Sequence, residues 1–410
     1  MRIFDREYTQ PKMFLPGTRR SRRPADTLKD FGRHMRQIGI TRLANVTGLD
    51  SVGIPVVQAI RPCSRSLSVS QGKGVDLDSA KVSAMMEAIE LWHAERIELP
   101  RLCASYHAMR RKGNVINLDQ LPHAREARIR AEQQRSWLLG WDILQEQEVW
   151  VPFEFVSMNT VSVIQERREF LTTSTGLASG NHILEAIGHA LCEVIERDTY
   201  ALDKLRGQAN ALKRKVDIDT ITEPSLKVML AACAAADLEI AIFGMESDVA
   251  LSSFRAGLME RQGRRLGSQW GYGTHLSPVI ALSRAITEAA QARLTVIAGN
   301  RDDNLPSAYA VWQLSSATEE SWNKAFAAPA TRPFSTAASY QETETFEGDL
   351  EVMLEALRSV GVDRVVIIDL TKEHIGIPVV KVIVPGFETS PFDPGHVGGR
   401  RAHYAIKSVS

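Results

Sequence analysis

Three long segments of the sequence combine helical periodicity with acidic residues that fall among apolar ones. The segments are residues 79–98, 182–207 and 278–299, and in each the polar residues recur at spacings that place them on one side of an α-helix. Helices of this kind are stable when their apolar side chains pack against other elements. Carboxylates carried into that packing would be partly buried, and buried carboxylates need cations. We therefore expect the three helices to converge on one polar pocket.

The polar residues of these helices form three sets. They are, in chain order, Ser83, Glu87 and Glu90; Glu185, Glu193, Glu196 and Arg197; and Arg284 and Glu288. Considered one helix at a time, each set also fits a solvated acidic face or an ion pair within the helix. The repetition of the pattern in three helices favours a shared site.

A segment of small residues precedes each helix, at 70–74, 174–181 and 271–275. We expect these segments to be loops that a ligand can approach closely, and the helix behind the second one favours anions. The GxxxxGK[ST] spacing of a P-loop is absent. Several glutamates with one or two arginines are instead what a magnesium–nucleotide site of another design needs. Mg²⁺ takes oxygen ligands and shares them with phosphates, and arginine binds phosphate through two donors.

The remainder of the chain mixes strands and helices without a regular strand–helix–strand alternation, which predicts the α+β class. Residues 120–135 have a polar helical pattern and are expected to be helical. Residues 1–36 are basic and contain prolines, so we expect an N-terminal arm that extends over the body. Residues 37–410 would then form one catalytic domain of mixed sheets and long helices, with a variable loop at about 301–345.

Charge and composition exclude several classes of protein. The 410 residues carry 49 Lys and Arg against 49 Asp and Glu, a balance that argues against a dedicated nucleic-acid binder. No apolar run approaches the roughly 18 residues of a membrane span, and the chain begins without a signal-peptide core. Four cysteines lie far apart with no CxxC pair, as expected for a cytoplasmic protein with reduced thiols. The HExxH motif is absent, which disfavours an ordinary metal-dependent hydrolase.

The acid-bearing segments resemble the YcaO family. The similarity runs through Ser70–Arg96, Ser174–Asp198 and Gly271–Asp303, with further matches at residues 39–56 and 378–388. The resemblance implies a YcaO-type fold built around one ATP and Mg²⁺ site. It also implies an enzyme that activates a backbone amide of a peptide or protein. In such enzymes a nucleophile adds to the amide carbonyl, ATP phosphorylates the resulting oxyanion, and phosphate leaves.

The resemblance also assigns roles to individual residues. Glutamates would hold magnesium ions, whereas Ser83, Asn181 and the arginines would contact the nucleotide. The implied metal ligands are Glu87, Glu90, Glu193, Glu196 and Glu288. The implied nucleotide-binding residues are Ser83, Asn181, Glu185, Arg197 and Arg284, joined by Lys12 and Arg19 from the N-terminal arm. The implied catalytic residues are Glu193, Glu196 and Arg284. His275 follows a small-residue segment, and we expect it to be structural.

The nucleophile divides the family into subclasses. Azoline-forming cyclodehydratases use a substrate Cys, Ser or Thr, thioamide formers use a sulfide source, and amidine formers use an amine. Many azoline formers end in a PxPxP tail, a pattern that Pro385, Pro391 and Pro394 do not make. Residues 17–19 and 399–402 are similar to members that work with TfuA-type partners in thioamidation. We therefore expect thioamide formation in the biosynthesis of a ribosomally made, post-translationally modified peptide.

Two alternatives remain open at this point: azoline-forming cyclodehydration, and a non-catalytic accessory factor for ribosomal-protein methylthiolation. The expected partners are a peptide or protein substrate, a separate TfuA-like protein and a second copy of the chain in a homodimer. A partner for sulfur delivery or substrate capture is expected because no peptide-recognition domain is evident. None of the four cysteines has the context of a persulfide carrier. Cys192, next to Glu193, is expected to face the core.

Overall fold

The computed structural model describes residues 1–123, 127–161, 169–262, 266–303, 316–337, 340, 342–389 and 398–407. This part of the chain contains eighteen β-strands and twelve α-helices in the α+β arrangement that the sequence predicts. The strands are β1 (Arg2–Ile3), β2 (Arg6–Glu7), β3 (Met13–Leu15), β4 (Thr18–Arg20), β5 (Arg42–Asn45), β6 (Val56–Ile60), β7 (Val69–Lys73), β8 (Leu102–Ala104), β9 (Arg135–Asp142), β10 (Gln147–Pro152), β11 (Leu177–Ser179), β12 (Val216–Asp217), β13 (Leu238–Gly244), β14 (Ser252–Glu260), β15 (Gln269–His275), β16 (Arg332–Pro333), β17 (Val366–Asp369) and β18 (Val379–Ile383).

The helices follow the same chain order. They are α1 (Pro24–Gly32), α2 (Met35–Ile38), α3 (Leu77–Glu95), α4 (Tyr106–Lys112), α5 (Phe153–Val156), α6 (Ile183–Leu205), α7 (Gln208–Leu212), α8 (Pro224–Ala235), α9 (Pro278–Ala298), α10 (Ser316–Ala327), α11 (Phe346–Ser359) and α12 (Arg400–Lys407). No helix of the described ranges is both long and apolar enough to cross a membrane.

Three antiparallel sheets position the acid-bearing helices. Their strand orders are β5-β6-β7, β10-β9-β17-β18-β11 with β8 added beside β9, and β13-β14-β15. Strands β7, β11 and β15 each lie at one end of their sheet, and each leads into one of the long helices: α3, α6 and α9. Every one of these helices packs back against the strand that precedes it. The structure therefore contains three strand–helix units, which we call the first, second and third unit.

Glycines in the edge strands make this packing close. A Cβ built on Gly72 would lie 2.0 Å from the backbone nitrogen of Ala84, and one built on Gly273 would lie 2.0 Å from the carbonyl oxygen of Ala281. The expectation of loops before the first and third helices is therefore wrong, because the small residues form strands β7 and β15 against which a helix packs directly. Before the second helix the expectation of a loop is correct only in part. Residues 174–176 form a bend and turn, but the residues that follow form β11.

Each long helix is buried in its own apolar core. α3 packs with residues of β9, β10 and β17. α6 packs with α11 and β18, and α9 packs with α8, β13 and β14. The Asp76 side chain caps α3 by accepting a hydrogen bond of 2.7 Å from the Ser79 backbone nitrogen. Pro278 opens α9, and Gly299 ends it in the left-handed conformation.

Other expectations from the sequence need correction. Residues 1–36 do not form an extended arm throughout, because they make the hairpins β1–β2 and β3–β4 and the helices α1 and α2. Within 120–135 no described residue beyond the short 3-10 turn Leu118–Gln120 is helical, and Arg135 already begins β9. That segment is too polar to offer a packing face for a helix. Within 301–345 the described part contains α10 and β16, and the rest, like Pro391 and Pro394, lies outside the described residues.

Candidate functional site

Side chains of α3, α6 and α9 meet in one open cavity of about 640 Å³, which we call the carboxylate cavity. Eight of the residues singled out in the sequence line it: Ser83, Glu87, Glu90, Glu193, Glu196, Arg197, Arg284 and Glu288. They come from all three sets, although the helices are separated by tens of residues in the chain. The structure therefore brings the three sets together.

Polar contacts join the three strand–helix units to one another around the cavity. Ser179 at the end of β11 donates from its backbone nitrogen (2.8 Å) and its hydroxyl (2.7 Å) to Glu90 of α3, which joins the second unit to the first. Lys73 of β7 forms an ion pair with Glu288 of α9, which joins the first unit to the third. The guanidinium of Arg197 on α6 lies 4.0 Å from Glu288, which joins the second unit to the third.

The carboxylates of the cavity are poorly compensated. The pKa of Glu87 is raised to about 7 and that of Glu90 to about 8, mainly by burial, and the negative charge of Glu193 contributes to both shifts. Burial also raises the pKa of Glu193 and of Glu196, and the charge of Glu288 adds to the shift at Glu196. Carboxylates with such shifts bind cations readily, because a cation removes both the desolvation penalty and the mutual repulsion.

Five Lys and Arg side chains also line the cavity: Arg20, Lys73, Arg197, Arg284 and Arg301. Burial alone would raise the pKa of Glu288, but the charges of Lys73 and Arg197 outweigh it and hold that pKa below its usual value. The Nε atom of Arg284 is buried without a hydrogen-bond partner. The cavity thus offers donors for an anionic ligand beside acceptors for a cation.

The donor set fits magnesium when a ligand supplies further oxygens. Oε2 of Glu196 is buried without a hydrogen-bond partner, so it is available to a cation. In the described part of the chain no group of three or more His, Cys, Asp or Glu residues is arranged to hold a metal ion by itself. Mg²⁺ commonly keeps only one or two protein carboxylates and takes its remaining ligands from phosphates and water. The absence of Cys and the predominance of carboxylates favour such a hard cation.

Two predicted nucleotide-binding residues of the N-terminal segment lie outside the carboxylate cavity. The Lys12 ammonium group is buried and lies 2.5 Å from the carboxylate of Asp349 on α11. Arg19 donates two hydrogen bonds, of 2.8 and 2.7 Å, to Glu342. Both cations are therefore paired with acids, and their predicted contact with phosphates stays a prediction.

Asn181 and Glu185 also lie outside the carboxylate cavity. Glu185 accepts hydrogen bonds from the Ser21 backbone nitrogen (3.1 Å) and hydroxyl (2.7 Å) and from the Arg20 guanidinium (3.1 Å). Asn181 accepts one of 2.7 Å from Thr27. These contacts bind the start of α6 to the N-terminal segment. Glu185 lines a smaller cavity of about 50 Å³, and this cavity adjoins the larger one because Arg284 lines both.

Sequence reasoning assigned no role to Lys73 or Arg301. Lys73 stands in the first small-residue segment, where alternation along a strand would place it on the same face as Gln71, and both residues line the cavity. The small-residue composition of this segment predicts a loop, and in a loop the alternation of Gln71 and Lys73 carries no information. Arg301 lies beyond α9, and its charge lowers the raised pKa of Glu87. No local pattern in the sequence connects these two residues.

Cys192 is buried and His275 is half-buried, and both line the smaller cavity. Burial lowers the pKa of His275 to about 3, and its Nδ1 accepts a hydrogen bond of 3.0 Å from the Ser277 backbone nitrogen. Burial raises the pKa of the Cys192 thiol to about 12, and its sulfur lies 3.7 Å from that of Met353. A neutral, hydrogen-bonded imidazole and a buried thiol are both typical of structural residues.

Comparison with known sequences supports this description of the site. A family model described as YcaO cyclodehydratase, ATP- and Mg²⁺-binding, matches residues 71–388. A protein of Rhizobium leguminosarum bv. trifolii, described as an uncharacterized protein in the tfuA 3′ region, is 34% identical over 372 residues, which cover 89% of this chain and 87% of that protein. An uncharacterized protein of Methanothermobacter thermautotrophicus is 34% identical over 384 residues, covering 92% and 97%.

Solved structures share the fold. YcaO from Methanopyrus kandleri bound with AMPPCP and Mg²⁺ matches with a TM-score of 0.76 and 21% identity, over 95% of this chain and 98% of that one. A heterocyclase in complex with substrate and cofactor matches with a TM-score of 0.78 and 21% identity over 94% of this chain, which spans only 54% of the heterocyclase. The family model covers most of the sequence, including all but the first two residues of the three strand–helix units. The chain therefore belongs to the YcaO family, whose members bind ATP and Mg²⁺.

Proposed function

We propose that this protein is an enzyme that uses ATP to activate a backbone amide of a peptide or protein by O-phosphorylation, and that the product is a thioamide. The observation that carries the proposal is the carboxylate cavity, in which five glutamates and five Lys or Arg side chains surround open space. Phosphoryl transfer depends mainly on positioning and electrostatic stabilisation, and this wall supplies both signs of charge from three rigid units.

In this proposal the glutamates of the cavity hold magnesium ions. These ligands are Glu87, Glu90, Glu193, Glu196 and Glu288. When bound there, Mg²⁺ neutralises phosphate charge and ATP supplies the phosphoryl group that converts the amide oxygen into a leaving group. Glu87 and Glu90 would give up their protons as the cation arrives, since burial is what mainly raises their pKa values and a bound cation would stabilise their charged form.

The basic residues would orient the nucleotide. The guanidinium of Arg197 lies 3.6 Å from Glu196 and 4.0 Å from Glu288 and lines the cavity, where it would donate to phosphate oxygens. Arg284 has a buried Nε without a partner, which an oxygen of the nucleotide would satisfy. The Ser83 hydroxyl lines the same wall and would donate to the nucleotide or to its bound water. Lys12, Arg19, Asn181 and Glu185 would contribute after the N-terminal segment exchanges its present partners.

The thioamide outcome is supported by the relative from Rhizobium leguminosarum bv. trifolii, whose description places it in the tfuA 3′ region. We infer from this that a TfuA-like protein supplies the sulfur or captures the substrate. The fold likeness to the heterocyclase and to an E. coli microcin synthetase McbBCD complex keeps cyclodehydration as the alternative. A homodimer, and the division into an N-terminal arm and one catalytic domain, stay predictions from the sequence.

Mass spectrometry on a candidate peptide tests the proposal. The full chain is incubated with ATP, Mg²⁺ and a sulfide source, with and without a TfuA-like protein encoded by a neighbouring gene. Replacement of oxygen by sulfur adds about 16 mass units, whereas cyclodehydration removes about 18, since the activated amide ends in substitution or in loss of water. We expect the gain, and we expect it only when ATP and the partner are both present.

The control is the same reaction with the Glu193→Gln variant, which should give neither change. Loss of water catalysed by the isolated chain would replace the thioamide assignment by cyclodehydration. ATP-independent modification, or binding of the peptide without any ATP consumption, would reject amide activation itself.

A further inference from the structure

A second cavity, of about 340 Å³, lies next to the carboxylate cavity. It is bounded by the C-terminal half of α6, by the sheet β13-β14-β15 and by α10, and we call it the aromatic cavity. Four rings and two cations line it: Tyr200, Trp270, Tyr272, Trp322, Lys204 and Arg255. Trp270 lines both cavities, so they adjoin at this residue.

Arg255 is a polar residue of this cavity whose buried guanidinium Nε has no hydrogen-bond partner. It lies on β14 opposite Phe243 and Tyr272, with its guanidinium 4.7 Å from the ring centroid of Phe243 and 5.1 Å from that of Trp270. Its Nε is buried without a hydrogen-bond partner, and no carboxylate in the described ranges forms an ion pair with it. A guanidinium stacked on two rings keeps its edge donors for a ligand.

Charge around the aromatic cavity is unbalanced. Its one acidic residue, Asp203, stands against two cations and forms its ion pair with Arg214, which does not line the cavity, although the charge of Arg255 also acts to lower the pKa of Asp203. Burial lowers the pKa of Lys204, and the charge of Arg255 lowers it further, so these two cations repel each other. An anionic group placed between them would relieve the repulsion and pair with Arg255.

The position of this cavity relates it to the proposed reaction. Trp270 belongs to the walls of both cavities, and Tyr200 and Tyr272 line the aromatic cavity beside it. A peptide that places one residue in the aromatic cavity can therefore present a neighbouring amide at the carboxylate cavity. The ring walls suit apolar or aromatic parts of a peptide, and Arg255 suits a carboxylate.

We propose that the aromatic cavity is a subsite for the peptide substrate and that Arg255 binds a carboxylate of that peptide there, from an acidic side chain or from the C terminus. The inference rests on the proposed function, because it identifies the occupant as the peptide whose amide is activated. Arg255 would act as a specificity-determining residue, since it touches the substrate but not the reacting amide.

Three short peptides test the carboxylate preference on the full chain. They are acetyl-Gly-Phe-Asp-amide with a side-chain carboxylate, acetyl-Gly-Phe-Gly with a free C terminus, and acetyl-Gly-Phe-Asn-amide as the neutral control. Binding is measured by calorimetry in the presence of Mg²⁺ and AMPPCP. We expect one carboxylate peptide to bind at least about tenfold tighter than the neutral one, because a charge-assisted hydrogen bond in a desolvated site discriminates by about this much. The peptide that gains identifies the source of the carboxylate.

Two substitutions at the same position separate charge from packing. Arg255→Met retains an unbranched apolar chain against the rings and should abolish the preference, whereas Arg255→Lys retains the charge and should keep part of it. The matched control is Arg261→Met, at an exposed arginine just beyond β14 whose ion pair with Asp237 is on the surface. This control should leave the preference unchanged. Binding of Mg²⁺ and AMPPCP without peptide should stay unchanged in all three variants and shows that they are folded.

The outcomes distinguish the subsite from the proposed function. Equal binding of the three peptides, no binding of any of them, or a preference that survives Arg255→Met would overturn the subsite, even if ATP-dependent amide modification is observed. A carboxylate preference that depends on Arg255 would support the subsite. If no amide is then modified with ATP, the proposed function fails although the cavity binds carboxylates.

Discussion

Single carboxylates decide whether the large cavity can bind a metal. Glu193 and Glu196 have raised pKa values because burial disfavours their charge, and Glu196 has one oxygen without a partner. Glutamine has nearly the same shape and no charge. We therefore expect Glu193→Gln and Glu196→Gln each to reduce ATP turnover by about 100-fold or more, while the melting temperature of the metal-free protein stays equal or rises. Phosphate release and thermal unfolding measure the two effects.

The matched control for these variants is Glu148→Gln, at an exposed glutamate of β10 that lines none of the cavities described above. It should change neither phosphate release nor the melting temperature. Full phosphate release by either cavity variant would contradict the role of these residues in holding Mg²⁺, whereas a large drop in melting temperature would show that they serve packing.

Glu90 makes the stability of the metal-free protein depend on pH. Its pKa is raised from 4.5 to about 8, first by burial, so the folded protein retains a proton that the unfolded chain has already lost. Stability then falls as pH rises from about 4.5 to about 8, because the native state binds more protons across that interval. Glu90→Gln keeps an acceptor for Ser179 and removes the titration. We expect its melting temperature to decline less than that of the wild type between pH 5 and 8, in buffers with chelator; parallel curves would contradict the assignment.

At the residue scale, helical periodicity is sufficient to predict the glutamates of the site but not its lysine and arginine residues. The acids recur on one face of a helix among apolar neighbours, so a local pattern identifies them. Lys73 lies on a strand and reaches Glu288 of another unit, a contact that only the tertiary fold creates. Conversely, Arg19 matches the expectation of a phosphate ligand by type, yet the fold pairs it with Glu342, more than three hundred residues away in the chain.

At the scale of elements, the contact between edge strand and helix depends on glycine. A methyl group on Gly273 would lie 2.0 Å from the Ala281 carbonyl oxygen and 2.8 Å from the Ala285 nitrogen, so α9 would have to move away from β15. We expect Gly273→Ala to destabilise the protein by about 3 kcal/mol or more, since the neighbouring atoms belong to the backbone and cannot rotate away. Chemical denaturation measures this change.

Gly32→Ala is the corresponding control, because a Cβ at Gly32 meets no atom within 4 Å. That variant should be as stable as the wild type or slightly more stable, since alanine favours the helix α1. A Gly273→Ala protein of wild-type stability would show that α9 can shift without cost, and the close strand–helix contact would then not define the third unit.

Helices were predicted more reliably than the segments that precede them. The expected helix 278–299 is observed as α9, Pro278–Ala298, because its apolar stripe spans six turns and needs no tertiary information. The segment before it reads as a loop from composition, since glycine and threonine are common in turns. Those glycines allow a helix to pack closely on the strand. Because this helix contacts the strand only in the folded protein, the sequence pattern does not show why glycine is needed there. The polar segment 120–135 shows the opposite error, because its weak helical pattern predicts a helix that the described residues do not form. Such a polar segment has no apolar face to pack against the rest of the protein.

At the scale of the whole molecule, the three units form a closed set of pairwise contacts around the cavity. Ser179 with Glu90, Lys73 with Glu288, and Arg197 with Glu288 each join a different pair of units. Every one of these contacts involves a glutamate expected to bind metal. Other contacts also join the units, such as those of Thr295 and Gln291 on α9 with Gln71 on β7. The three contacts through glutamates are the ones that a ligand would change, so binding at the cavity should act on all three units together.

This arrangement predicts cooperation between Mg²⁺ and nucleotide. No group of three or more potential ligands in the described residues is placed to hold a metal alone, so Mg²⁺ without nucleotide should bind weakly. ATP without Mg²⁺ would place its phosphates beside uncompensated glutamates and should also bind weakly. When both are present, the phosphates of ATP supply the oxygen ligands that Mg²⁺ lacks, and Mg²⁺ supplies the positive charge that the phosphates and glutamates need. At about 100 times the dissociation constant, bound ligand stabilises a protein by about 2.7 kcal/mol, which raises the melting temperature by several degrees.

We expect thermal unfolding with Mg²⁺ and AMPPCP together to show this shift, and the sum of the shifts with each alone to be clearly smaller. Glu288→Gln should reduce the combined shift, because Glu288 contacts basic residues of both other units. The exposed Glu148→Gln should leave it unchanged. If Mg²⁺ alone produced the whole shift in melting temperature, the metal site would be complete without nucleotide. In that case the glutamates of the three units would not need ATP in order to bind the metal together.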